Sequence, residues 1–239
     1  MKKIFLFAAA VSMLSMVSCA QNKVKGNGDY RTETRNHSGF TGVGAGGDFE
    51  VEIKTGSNYS VEIMADANLM PYIETDVKNG VLRINQRDNH NLSSSKPIKV
   101  NVVLPVLESA SIAGSGDMMS SGVLTVANQV KVSVAGSGTC KLHVAQNASV
   151  NASIAGSGDI RMRGATDKLS VSIAGSGNFE GFELSANKAD VRISGSGDVQ
   201  TNVSNELSAS IAGSGDVQYK GNATTSLKAA GSGSITKVN

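Results

Sequence analysis

Gly-Ser-Gly occurs seven times in the second half of this 239-residue chain, beginning at Gly114, Gly136, Gly156, Gly175, Gly195, Gly213 and Gly231. The steps are 22, 20, 19, 20, 18 and 18 residues. Such a period marks a solenoid, in which no repeat buries its apolar face alone and neighbours must stack. Aligned on the first glycine, the position two residues earlier reads Ile112, Val134, Ile154, Ile173, Ile193, Ile211 and Ala229. Four residues earlier stand Ala110, Val132, Ala152, Val171, Val191, Ala209 and Leu227, and the column between is Ser, Arg or Lys. That alternation predicts a strand with one buried face entering each corner. Met118, Cys140, Ile160, Phe179, Val199, Val217 and Ile235 form a third apolar column, on a strand leaving it.

One repeat is therefore strand, tight corner, strand and looser return. The predicted fold is an all-β, right-handed parallel β-helix, its hand taken from the general preference of parallel crossovers. Seven coils at the strand spacing give a rod about 30 Å long. The corner residues are Gly114, Gly116, Gly136, Gly138, Gly156, Gly158, Gly175, Gly177, Gly195, Gly197, Gly213, Gly215, Gly231 and Gly233. They account for 14 of the 27 glycines, so the glycine excess belongs to the corners and the remaining sequence is ordinary. Aromatic residues at 4% and the absence of Trp suit thin coils filled by Ile, Val and Ala.

Residues 1–18 read as a signal peptide. Lys2 and Lys3 precede an apolar run, Ile4 to Val17, that is short for a membrane span. Leu14-Ser15-Met16-Val17-Ser18-Cys19 resembles a bacterial lipobox, with Met16 where Leu is more usual. That resemblance implies cleavage before Cys19 and its lipidation; an ordinary secretory signal with an incidental Cys is the alternative. Acyl chains would tether the protein, since each buried methylene contributes about 0.8 kcal/mol. Residues 19–39 are polar without an apolar period and are expected to be a flexible tether.

Residues 40–106 are expected to form a non-repetitive β region covering the first coil, and residues 107–239 the seven-copy solenoid. Val77-Lys78-Asn79-Gly80-Val81 predicts a hairpin with Asn-Gly at its tip. Gln86 to Pro97 reads as a polar loop.

Several ordered motifs converge on one family. A lipobox is followed by Gly44-Ala45-Gly46-Gly47-Asp48-Phe49-Glu50-Val51, Ala65-Asp66-Ala67-Asn68-Leu69 and Asn79-Gly80-Val81-Leu82-Arg83-Ile84. Leu104-Pro105 and the repeated Ser-Ile-Ala-Gly-Ser-Gly-Asp complete the series. From Phe40 onward the chain resembles the putative auto-transporter adhesin head domain family, or head GIN domain proteins. The resemblance implies a β-helical body and a cell-envelope lipoprotein of the Bacteroidota type. It brings no catalytic or ligand residues.

Asp117, Asp159, Asp198 and Asp216 follow their triplets, with Thr139, Asn178 and Ser234 at the same place in other copies. A calcium ladder is one reading, but neutral side chains are poorer calcium ligands and all four types can bond a turn's backbone. Corner stabilisation is the expected role, with no metal and no cofactor. Each triplet opens onto a strand rather than a helix, and no Gly-Lys-Ser/Thr occurs, so a phosphate-loop nucleotide site is not indicated. His37, His90 and His143 lie apart in tether, loop and outward strand, and no metalloprotease or nucleophile-elbow motif is present.

Lys141, Arg161 and Glu180 would form a charged stripe on successive coils, read as a solvated ion-pair ladder. Polysaccharide chemistry on that face is an open alternative, although only Tyr219 and Phe182 are at hand for sugar stacking. Without Lys2 and Lys3 the chain has 20 basic and 20 acidic side chains, which argues against nucleic acid. Cys140, alone once Cys19 is acylated, is expected to be an inert buried hydrophobe.

The expected function is a non-enzymatic cell-envelope lipoprotein with an adhesin-like binding surface. A periplasmic structural scaffold is the nearest alternative. Expected partners are a membrane, through the lipid anchor, and an unidentified envelope or extracellular protein or glycan; a homo-oligomer is left open. The outer membrane is the expected address, with no acidic cluster after Cys19 to mark outward display.

Overall fold

The structure is a computed structural model that describes residues 22–239; the signal segment and Cys19 lie outside the described residues. Strands make up 73% of it, and among the described residues the one helical turn is the short 3-10 segment Met70–Tyr72. The glycine triplets lie over one another in parallel register: Gly114 pairs with Gly136, and the series runs through Gly156, Gly175, Gly195 and Gly213 to Gly231. Ile173 sits between Ile154 and Ile193. The body is thus a stacked parallel β-solenoid of about seven turns, as the period requires.

Packing follows the apolar columns. Every inward residue from Ile112 to Ile211 before the corner, and from Met118 to Val217 after it, is buried. Only the final coil stands open, where Leu227 is 42% exposed and Ile235 half-buried. The return is not loose. Thr139–Gly156, Asp159–Gly175 and Asn178–Gly195 each continue as extended backbone from one corner to the next. Register shifts, as between Val144 and Asn147, absorb the bend, because a parallel neighbour on both sides satisfies the backbone all the way round.

The region before the repeats differs from the expected separate layer. Gly42–Gly46 pairs in parallel with Leu107–Gly114, and Glu50–Thr55 with Asp117–Leu124. Val81–Gln86 and Lys99–Leu104 stack beyond them, again in parallel. These are two further coils on the same faces, so the break in sequence at residues 106 and 107 is not a break in the sheet. Their order along the stack does not follow the chain. Gly47, at φ 125°, makes the corner next to Gly114 and accepts the Gly116 N–H at 3.0 Å.

The stack ends in antiparallel strands, which cover it. Ser60–Asp66 lies on Lys99–Leu104, and Ile73–Lys78 on Val81–Gln86 through the Asn79-Gly80 hairpin. Both hairpin residues have positive φ, 52° and 75°, as a type I′ turn demands.

The expected tether is partly strand. Tyr30–Arg35 pairs antiparallel with Ser60–Asp66, and Asn22–Lys25 pairs in parallel with His90–Ser93 inside the expected polar loop. These strands are mostly exposed and held by backbone ladders, so they carry no apolar period to read. Asn68 ties the segment down by accepting the Asn27 N–H and donating to the Lys25 carbonyl.

Candidate functional site

The corners repeat one geometry. First-position glycines hold φ between 120° and 135°, a region L side chains rarely adopt. Their carbonyls accept from the next coil: Gly136 O takes the Ser157 N–H at 2.9 Å and Gly156 O the Ser176 N–H at 2.9 Å. Third-position glycines are required for a different reason. A Cβ on Gly158 would meet both the Gly138 carbonyl and the Val134 side chain of the coil below.

The polar column after the triplets is a hydrogen-bond ladder between coils. Asp117 Oδ1 accepts the Thr139 N–H at 3.2 Å, Asp159 Oδ1 the Asn178 N–H at 3.1 Å, and Asp198 Oδ1 the Asp216 N–H at 2.8 Å. Asp216 Oδ1 takes both the N–H and the hydroxyl of Ser234. Asn178 does the same work, accepting the Asp198 N–H at 3.2 Å. The acceptor serves the next coil, not its own turn, so neutral and charged side chains interchange. Among the described residues no group of three His, Cys, Asp or Glu side chains is placed to hold a metal ion.

Cys140 is fully buried in the inward column between Met118 and Ile160, and burial pushes its thiol up to about 12. Thiolate chemistry is closed to it near neutral pH. His37 bonds Thr75 Oγ1 at 2.9 Å and His90 packs against Tyr72 with the rings tilted, while His143 faces outward elsewhere, so the three do not converge.

The charged stripe is in register as the spacing implies: Lys141 beside Arg161, and Arg161 beside Glu180. Arg161 and Glu180 form an ion pair at 2.9 Å, Arg163 and Glu183 another at 3.1 Å, and Lys188 and Glu206 a third at 2.8 Å. All are well exposed, and solvent-screened pairs of this kind contribute little to stability.

Sequence reading missed the polar contacts at the return. Asn147 and Thr166 are buried, and the Thr166 hydroxyl donates to Asn147 Oδ1 at 2.9 Å. Asn147 Nδ2 donates to the Ala145 carbonyl. Nothing in the apolar columns marks them, because the bulges displace them from the repeat's register.

The class the fold defines is a β-solenoid, capped at one end and carrying outward side chains that repeat from coil to coil. The chain belongs to the family described as putative auto-transporter adhesin, head GIN domain, which matches residues 39–223. Among solved structures it is similar to a putative adhesin from Bacteroides fragilis, at 23% identity and a TM-score of 0.83, covering 90% of this chain and all of that one. A putative lipid binding protein from Parabacteroides distasonis is 26% identical, with a TM-score of 0.74 and coverage of 91% and 100%. A putative adhesin from Parabacteroides merdae is 22% identical, with a TM-score of 0.67 and the same coverage. No curated protein matches the chain.

Proposed function

We propose that this protein is a non-enzymatic component of the bacterial cell envelope, lipid-anchored through Cys19 in the outer membrane, whose solenoid side is an adhesin-like binding surface. The observation that carries this reading is the unbroken register from Gly114 to Gly231. It fixes outward side chains at the sheet spacing on a body paired coil to coil, and a pre-arranged surface lowers the cost of binding. Family membership and neighbours named as adhesins support it. The partner on this reading is an envelope or extracellular protein or glycan.

Cell fractionation with protease shaving tests the address. Removal of the body from intact cells supports outward display; protection until the outer membrane is opened favours the periplasmic scaffold. Loss of the protein from the membrane fraction in a Cys19→Ala strain is expected, and its retention there would refute the anchor. Incubation with a polysaccharide panel tests the non-enzymatic reading, which new reducing ends or unsaturated products would overturn.

A further inference from the structure

On the sheet leaving the corners, two rows of outward side chains cross the first coils in register. One runs Met119, Lys141, Arg161, Glu180; the other runs Val123, His143, Arg163, Glu183. From Lys141 to His143 is two residues, but from Met119 to Val123 is four. The extra residues bow outward around Gly122, at φ 87°, and form a wall. The Ser120 hydroxyl pins that wall by accepting the His143 N–H at 2.9 Å. The wall and the Lys141, His143, Arg161 and Arg163 side chains line an open groove of about 490 Å³.

Charge in this groove is lopsided. Arg161 and Arg163 are paired with glutamates on the side away from the wall. Lys141 has Arg161 on one side, Met119 on the other, and no ion pair among the described residues. Registered neighbours stand about 4.8 Å apart, where like charges opposite one another destabilise a sheet. An anion bridging Lys141 and Arg161 would remove that cost. Beside Lys141, Met119 lines the groove and is 41% exposed, one of three exposed large hydrophobics among the described residues. No Phe, Tyr or Trp lines the groove, so the large ring faces on which sugars usually stack are missing there.

We propose that this groove binds the phosphate of an anionic phospholipid headgroup, with Lys141 and Arg161 on the phosphate oxygens and Met119 against the adjoining glycerol and first acyl carbons. The proposal rests on the reading of the solenoid side as a binding surface. Its failure would leave that reading standing, because surface display and attachment do not depend on Lys141.

The test titrates the full chain, in neutral detergent, with dihexanoylphosphatidylglycerol, dihexanoylphosphatidylcholine, sodium phosphate and a sulfated disaccharide, followed by calorimetry. The glycerol lipid is expected to bind, and Lys141→Gln to weaken it about threefold to tenfold, the range of one net hydrogen bond at a solvent-exposed site. Met119→Ser is expected to weaken the lipid but not sodium phosphate. Lys131→Gln, on the sheet that enters the corners, is expected to change neither, and melting curves check that each variant folds. Equal binding of both lipids, or equal losses in Lys131→Gln and Lys141→Gln, would overturn the proposal. So would sodium phosphate binding as tightly as lipid, since the apolar margin would then contribute nothing, or tighter binding of the sulfated sugar.

Discussion

Gly156→Ala tests the reading of the corners most directly. Gly156 sits at φ 120°, and a Cβ there would lie 2.6 Å from the Gly136 carbonyl oxygen and 3.3 Å from its carbonyl carbon. Two costs follow. Holding an L side chain in that backbone region costs about 1–3 kcal/mol, and relieving the overlap in a packed stack costs about 1–3 kcal/mol more. The carbonyl that must move also accepts the Ser157 N–H at 2.9 Å, so relief strains the coil pairing. A loss of about 2–6 kcal/mol in urea unfolding is expected, against less than about 0.5 kcal/mol for Ser157→Ala, whose side chain faces away from the core. Because coils contact only their neighbours, the damage is expected as a broadened transition beginning near that corner. A change under about 1 kcal/mol in Gly156→Ala would refute the argument that backbone conformation and close stacking together require glycine there.

Asp159→Asn is expected to be nearly neutral in thermal unfolding, since Asn178 already fills the same role, whereas Asp159→Ala should cost about 1 kcal/mol by leaving the Asn178 N–H without its acceptor. Calcium or chelator should leave the melting temperature unchanged; a calcium-dependent rise would restore the metal reading. Thr166→Val is expected to cost about 1–3 kcal/mol, because it strips Asn147 Oδ1 of its buried donor. Cys140 should resist alkylation at pH 8 until the protein unfolds, as mapped by mass spectrometry. Its folded thiol titrates at about 12 against an ordinary 9.0, so stability relative to Cys140→Ala is undiminished below pH 9 and is lost as pH rises toward 12. Three pH units correspond to about 4 kcal/mol at most; a parallel pH dependence in the variant would contradict this.

Local repetition made the corners, the three apolar columns and the silent thiol legible in the chain, because every coil solves the same packing problem with the same residue types in the same order. The Asn79-Gly80 hairpin was legible for a similar reason: two adjacent residues suffice to set its φ angles. The polar column was expected to bond the backbone of its own turn; its bonds to the following coil appear only when coils are stacked.

Pairing between distant segments belonged to the tertiary structure alone. Gly42–Gly46 and Val81–Gln86 carry no triplet, and only their parallel pairing reveals them as further coils, stacked out of chain order. Tyr30–Arg35 becomes a strand because Ser60–Asp66 offers it an edge, an offer invisible in its own exposed side chains. The groove beside Lys141 likewise needs the wall around Gly122, whose bulge exists only relative to the coil next to it. Sequence by itself settles what each coil must bury, since burial acts residue by residue; which backbone edge meets which is decided by the whole stack, since a strand's hydrogen bonds are blind to side-chain identity.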